Sequence, residues 1–210
     1  MAKKAAKPIP EYQYQRFKSK IEEVSKVEYI DRNMTLFLLG VATGYRLQDL
    51  VDLTIKDIKE ALNDGYFCIQ EKKQWNIYKS YIKRYPDKPR PEPEPRIHNI
   101  EKPLENILKK YIKGRKNSEY AFGSQKSKGN YITAKAYSAF LSKVANQLRI
   151  KNISGHSLRK IYATRLYENS KDIEFVRIAI GHSSIEVTKR YLGLENNIRE
   201  SAAKVAANKL

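Results

Sequence analysis

The sequence predicts an α+β fold that is mainly α: a helical domain with one small antiparallel sheet. Two observations point there. Apolar residues recur at helical spacing through most of the chain, and alternation of the strand type is confined to two short runs, YFCIQ at 66–70 and RIHNI at 96–100. A chain of 210 residues can bury one sizeable core, and no internal repeat suggests several small ones.

Residues 1–9 read as a basic tail, and residues 10–195 as the domain proper. Pro10 stands where a first helical turn starts, with Phe17, Ile21 and Val24 at helical spacing behind it. Asp31 signals a second helix, MTLFLLGVAT, apolar almost all round and therefore expected to be buried; Gly44 ends it. A further helical pattern starts at Arg46, with Leu47, Leu50, Val51 and Ile58 as its stripe. Asn63-Asp64-Gly65 is a turn signal that opens the first strand.

The segment between the two strand candidates, 75–95, reads as an insertion. Trp75, Tyr78, Ile82 and Tyr85 make a helix-like stripe in it. PDKPRPEPEP at 86–95 then holds five of the eight prolines, which excludes helix and central strand and leaves an extended surface linker. After RIHNI comes a helix, PLENILKKYIKGRK, ended by Gly114, then the β-type run EYAF and the basic loop GSQKSKGN. A helix from Thr133 carries Tyr137, Phe140, Leu141, Val144 and Leu148 on one face. Ser154 to Glu168 is helical, IEFVRIAI is a short helix broken by Gly181, and Glu186 to Leu192 is another. Residues 196–210 read as an Ala-rich final helix or tail.

Lys plus Arg total 41 against 23 Asp plus Glu, a net charge of +18. So basic a surface predicts a polyanionic partner, nucleic acid before an anionic membrane. The single cysteine, Cys68, rules out an intramolecular disulfide and fits a reducing compartment. Three histidines and one cysteine make a His- or Cys-built metal cage improbable. The start, MAKKAAKPIP, lacks the apolar run of a signal peptide, and MTLFLLGVA is too short to span a bilayer. A soluble, cytoplasmic and nucleoid-associated protein is expected, with no membrane partner.

Phosphate chemistry is concentrated near the end of the sequence, in GHSLRKIYATRL at 155–166 and IAIGHSSIEVTKRYL at 178–192. Transesterification of a phosphodiester needs a nucleophile that loses a proton, cations that hold the charge gathering on two non-bridging oxygens, and an acid for the leaving oxygen. Tyrosine supplies the first, arginine the second through its planar fork, and histidine or lysine the proton transfers. His156 and Arg159 are three apart and share a helical face. Each residue alone reads more simply: a solvated H-x-x-R turn, a capping His182, a packed aromatic at Tyr191, one of 15 tyrosines. Order and spacing are what make them specific.

Together these stretches resemble the tyrosine recombinase (phage integrase) family, whose C-terminal signature runs H-x-L-R-H-T-x-A-T and then L-G-H-S-x-x-x-T-x-x-Y. Here HSLRKIYAT occupies 156–164 and IGHSSIEVTKRYL occupies 180–192. ATGYRLQDLVDL at 42–53 is similar to the family's T-G-x-R-x-x-E-L-x-x-L. Lys160 and Ile161 replace the usual His-Thr, and Ile180 replaces Leu; no catalytic group is lost. The resemblance covers about residues 10–195 as a catalytic domain of the DNA breaking-rejoining type.

It implies a site. Tyr191 would be the nucleophile, Arg46 and Arg159 the phosphate clamp, His156 the general base and His182 a hydrogen-bond partner of a phosphate oxygen. The family's general-acid lysine follows a β-strand in a turn, which points to Lys73, with Lys72 beside it. Asp49 stands where the family has Glu and, three residues after Arg46, is placed to orient that arginine, although an ordinary surface ion pair has the same spacing. No metal or cofactor is implied, because the phosphotyrosyl bond conserves the energy of the phosphodiester. The implied partners are double-stranded DNA, a homotetramer on it, with residues 196–210 as a protomer contact, and accessory DNA-bending proteins.

Basic residues interleaved with aromatics, Lys72, Lys79, Lys83 and Arg84, and the loop lysines Lys126 and Lys128 are expected to contact DNA backbone; a solvated charged face reads equally well for any one of them. Family members usually carry a helical core-binding domain ahead of the catalytic one, whereas here residues 1–9 precede the first helix, so weaker DNA binding is expected. Two other readings are a non-catalytic DNA-binding regulator of the same fold and a nicking-closing activity like that of a type IB topoisomerase.

Overall fold

A computed structural model describes residues 5–194 and 205–207 of the chain. Within them, helices α1 (Glu11–Val24) and α2 (Ile30–Thr43) are followed by the single-turn α3 (Leu47–Leu50) and by α4 (Ile55–Asp64). Strand β1 (Tyr66–Ile69), helix α5 (Lys72–Arg84) and strand β2 (Arg96–Asn99) form the middle. Then come α6 (Lys102–Ile112), α7 (Ala134–Gln147), α8 (Gly155–Ser170), α9 (Ile173–Ala179) and α10 (Ile185–Leu192). The expected mainly helical α+β architecture is what forms. β1 and β2 pair antiparallel, Ile69 opposite Arg96 and Tyr66 opposite Asn99.

Helix α2 is the hub. It packs against α1, α6 and α8, with Leu36, Phe37 and Leu39 wholly buried. Its contact with α8 is close: a Cβ on Gly40 would stand 2.7 Å from Leu158 Cδ1. Gly44 ends α2 in the left-handed conformation, φ +62°, where side chains are rarely tolerated. A Cβ there would also meet the Tyr162 ring at 2.3 Å. The turn that leads to Arg46 therefore has to be glycine. A smaller apolar cluster joins the last helices, with Ala163, Val176 and Ile180 buried and Tyr162, Leu166, Tyr191 and Leu192 packed on it.

Three local expectations are corrected. The helical pattern that starts at Arg46 is not one helix. Thr54 begins a new one, accepting from Asp57 N at 3.1 Å while Asp57 accepts from Thr54 N at 2.7 Å, so a capping box splits α3 from α4. EYAF forms no strand; Tyr120 makes an isolated bridge with Thr54, because Ala121 N donates to Leu53 O (2.7 Å) and Ile55 N to Glu119 O (2.8 Å). The basic loop is closed by Ser124 N donating to Asn130 O at 2.7 Å. Lys73 lies in no turn, since α5 starts directly after β1 and puts it in the first helical turn. The final helix expected over 196–210 lies outside the described residues except for a helical turn at 205–207.

Candidate active site

Three arginines meet on one carboxylate. Glu71, 4% exposed, ends the segment after β1 and stands at the N-cap position of α5. Its Oε2 accepts from Arg46 Nη1, and its Oε1 accepts from Arg159 Nη1 at 2.8 Å. Arg96 Nε stands 3.5 Å from the same Oε1, at ion-pair distance but without hydrogen-bond alignment. Burial works to raise the Glu71 pKa, but Arg159, Arg46 and Arg96 outweigh it and hold the carboxyl below its ordinary value. Neither Glu71 nor Arg96 stands out in the sequence.

Arg159 is 3% exposed and is fixed by backbone as well as by charge. It donates to Gly44 O at 2.8 Å and, through Nη2, to Ile180 O. Gly44 O is available because the left-handed turn ends α2 there. Arg46 follows two residues later, extended, just ahead of α3.

Tyr191, on the last turn of α10, has its hydroxyl buried with no hydrogen-bond partner among the described residues. Burial pushes its pKa up to about 12 although Arg159 and Arg46 pull it down. The phenol is thus protonated at neutral pH and lies within reach of the clamp's positive charge. His182 packs edge-on against its ring, centroids 5.0 Å apart, and the Lys160 ammonium lies 5.0 Å from the centroid of the same ring.

His182 Nδ1 is 3.2 Å from Thr188 Oγ1. Thr188, fully buried, spends its one hydroxyl proton on Ser184 O at 3.1 Å. It therefore accepts from His182, which assigns the imidazole proton to Nδ1 and leaves Nε2 with the lone pair. Burial, Arg159 and Arg46 lower the His182 pKa to about 4, so the ring is neutral at pH 7. The Thr188 to Tyr191 spacing noted in the sequence is thereby explained: the threonine sets the histidine and the tyrosine follows one turn later.

His156 sits in the first turn of α8 and lines a cleft with Arg46, Lys73, Gln48 and Ser138. Lys73 and Gln48 also line the neighbouring groove, with Arg84 and Arg90. The two lysines part company here. Lys72 Nζ is tied to Asp52 at 2.5 Å and to Gln48 O at 2.6 Å, away from the cleft, whereas Lys73 faces it and its charge is felt at His182. Asp49 makes no hydrogen bond or ion pair with Arg46, although it feels that residue's charge. Its Oδ1 accepts from Lys72 N at 3.0 Å, so this buried carboxylate serves the N-terminus of α5, and Arg46 takes Glu71 instead.

The expected DNA contacts fall in two places. Lys79, Lys83 and Arg84 project from α5, none of whose residues is buried, and Lys79 lies 5.5 Å over the Trp75 ring. Lys126 borders a groove with Arg32 and Tyr131, and Lys128 is exposed in the same loop.

The helical fold gathers an arginine pair, two histidines, a lysine and a tyrosine with a buried hydroxyl, the side-chain types that phosphodiester transfer calls for. The sequence matches the phage integrase family over residues 7–197, and the chain belongs to that family, the tyrosine-type site-specific recombinases. It is 27% identical over 188 residues to the probable integrase/recombinase YoeC of Bacillus subtilis, covering 89% of this chain and 92% of that one. It is 26% identical over 208 residues to the tyrosine recombinase XerH of Campylobacter jejuni, covering 94% of this chain but 52% of the relative. The structure of the XerH recombinase bound to difH substrate superposes with a TM-score of 0.61 at 21% identity, over 90% of this chain and 50% of that one. The fold is shared, and the chain spans about half the length of these two recombinases. No helix among the described residues is long and apolar enough to cross a membrane.

Proposed function

We propose that the protein is a tyrosine-type site-specific recombinase that breaks and rejoins double-stranded DNA through a 3′-phosphotyrosyl bond. The observation that carries this reading is the placement of the buried Tyr191 hydroxyl, without a hydrogen-bond partner among the described residues, within the field of the arginine pair Arg46 and Arg159.

The scissile phosphate enters the cleft that Arg46, Lys73 and His156 line, and its non-bridging oxygens take the two guanidinium groups. Tyr191 Oη attacks phosphorus, His156 takes the phenol proton, the P–O5′ bond breaks, and Lys73 protonates the leaving O5′. The reverse sequence, begun by an incoming 5′-hydroxyl, reseals the strand. A base is needed because a phenol with a pKa of about 12 scarcely ionises alone at neutral pH. His182 is neutral in the free protein; the arriving negative charge raises its pKa, and the protonated ring then donates from Nε2 to a phosphate oxygen.

Supporting contacts to the DNA backbone come from Lys79, Lys83 and Arg84 on α5 and from Lys126 and Lys128, with Lys72 confined to holding α5. Strand exchange joins two duplexes, which by family analogy engages a homotetramer, with residues 196–210 as the protomer contact and DNA-bending proteins as accessories. Residues 10–195 form the catalytic domain of this proposal, with 75–95 as an insertion in it.

The test is incubation with a library of nicked suicide duplexes, followed by denaturation and sequencing of any DNA that stays attached. Covalent adducts on a recurrent sequence are expected. Non-covalent binding without adducts contradicts the reading and leaves a DNA-binding regulator; adducts and plasmid relaxation with no sequence preference indicate nicking-closing instead.

A further inference from the structure

Arg159 and Arg96 hold the same two chain segments, one residue out of step. Arg159 donates to Gly44 O and Ile180 O. Arg96 donates to the carbonyls immediately before them, to Thr43 O through Nη2 and to Ala179 O through Nη1, both at 3.0 Å. The first segment runs on to Arg46 and the second to His182. Arg96 itself is fixed: its guanidinium lies 3.8 Å over the Tyr45 ring, and the Tyr45 hydroxyl donates to the Arg96 carbonyl. Its side chain is only 10% exposed.

We infer that Arg96 is a positioning residue for phosphodiester cleavage, holding the segment that carries Arg46 and the segment that carries His182 at one separation while making no contact with DNA. The inference rests on the reading proposed above. Its physical basis is the fork of the guanidinium, which reaches two carbonyls on different segments at once; an ammonium at the same place has one nitrogen and cannot span them. Burial among arginines is the cost, and Glu71 at 3.5 Å offsets it. The acceptors so satisfied are the carbonyls of two helix C-termini, Thr43 at the end of α2 and Ala179 at the end of α9, each short of backbone donors. Sub-ångström drift between Arg46 and His182 is what the contact prevents, and a misplacement of about 1 Å can cost about 100-fold in rate.

The experiment compares wild type with Arg96→Lys for single-turnover adduct formation on a nicked duplex at saturating DNA, with DNA affinity measured separately on intact duplex. The expected result is adduct formation slowed about 100-fold at unchanged affinity. A wild-type rate overturns the inference, as does a slow rate matched by lost affinity. Arg96→Ala slowed likewise and partly restored by added guanidinium ion supports it further; lack of restoration in a folded variant counts against it. If Arg96→Lys does not fold, Tyr45→Phe removes only the hydroxyl that fixes the Arg96 backbone: slower adducts at unchanged affinity support the inference, and wild-type adducts overturn it. Wild-type protein that forms no adduct refutes the proposed function instead, so the two failures are distinguishable.

Discussion

Arg46 and Arg159 share one counter-ion: each donates to a different oxygen of the Glu71 carboxylate, Arg159 at 2.8 Å. In the free protein the two guanidinium groups are thus already turned toward a common anion. Glu71 keeps the three buried like charges from repelling one another, and on the function proposed above a DNA phosphate would meet the pair already oriented.

Removing that carboxylate leaves buried charge uncompensated. Glu71→Gln is expected to lower stability by about 3 kcal/mol at neutral pH, as breaking a buried ion pair typically does. Because the folded pKa of Glu71 lies below its unfolded value, its contribution is fully present above the ordinary carboxylate pKa of about 4.3 and fades as pH falls through the folded value. Denaturant titrations of wild type and Glu71→Gln should therefore differ by a constant amount from about pH 5 to 8 and converge only as pH falls through the folded, lowered value.

Histidine burial adds a second acid dependence. His98 packs edge-on against Tyr45 and Tyr162, and burial, aided by Arg96, lowers its pKa to about 4. Between that value and the unfolded value of about 6.5 the unfolded chain binds a proton that the folded chain refuses, so stability falls as pH drops through this window. His98→Gln should flatten the stability profile over the window, measured by thermal melts at half-unit pH steps.

Much of the site is legible in the sequence because its spacing is unusual. H-x-x-R, G-H and T-x-x-Y in order find His156, Arg159, His182 and Tyr191, and T-G-Y-R finds Arg46. The helices with strong stripes, such as Tyr137, Leu141 and Val144, are equally plain. Glu71 and Arg96 are not, because a single Glu in IQEKK and an Arg after a proline run read as solvated charges; only the pairing of β1 with β2 buries them beside the clamp. Asp49 misleads for a related reason. The i, i+3 spacing assumes a continuing helix, whereas α3 is one turn long and the carboxylate points to the start of α5.

Lys73 and Lys72 differ by what holds them. Lys73→Ala should slow cleavage of an ordinary phosphodiester about 10²- to 10⁴-fold, the usual weight of a general acid. A duplex with sulfur in place of the bridging 5′-oxygen releases a thiolate that needs no proton, and on it Lys73→Ala should regain nearly wild-type rates. Lys72→Ala should show no such selective recovery, because its ammonium is engaged with Asp52 and Gln48.

His156 is testable through pH. With the phenol pKa near 12, loss of the base leaves cleavage dependent on the small ionised fraction of Tyr191. His156→Gln should be slowed about 10²- to 10⁴-fold at neutral pH and then gain about tenfold in rate for each unit of pH rise, as single-turnover adduct assays can show.

The central claim is that Tyr191 carries the DNA. The direct measurement is tandem mass spectrometry of protease-digested adducts trapped on a nicked duplex, with Tyr191→Phe treated in parallel. The account predicts a 3′-phosphate linked to the peptide that contains Tyr191, and intact non-covalent binding without adduct for Tyr191→Phe. A linkage to any other residue, or an SDS-resistant adduct formed by Tyr191→Phe, contradicts it.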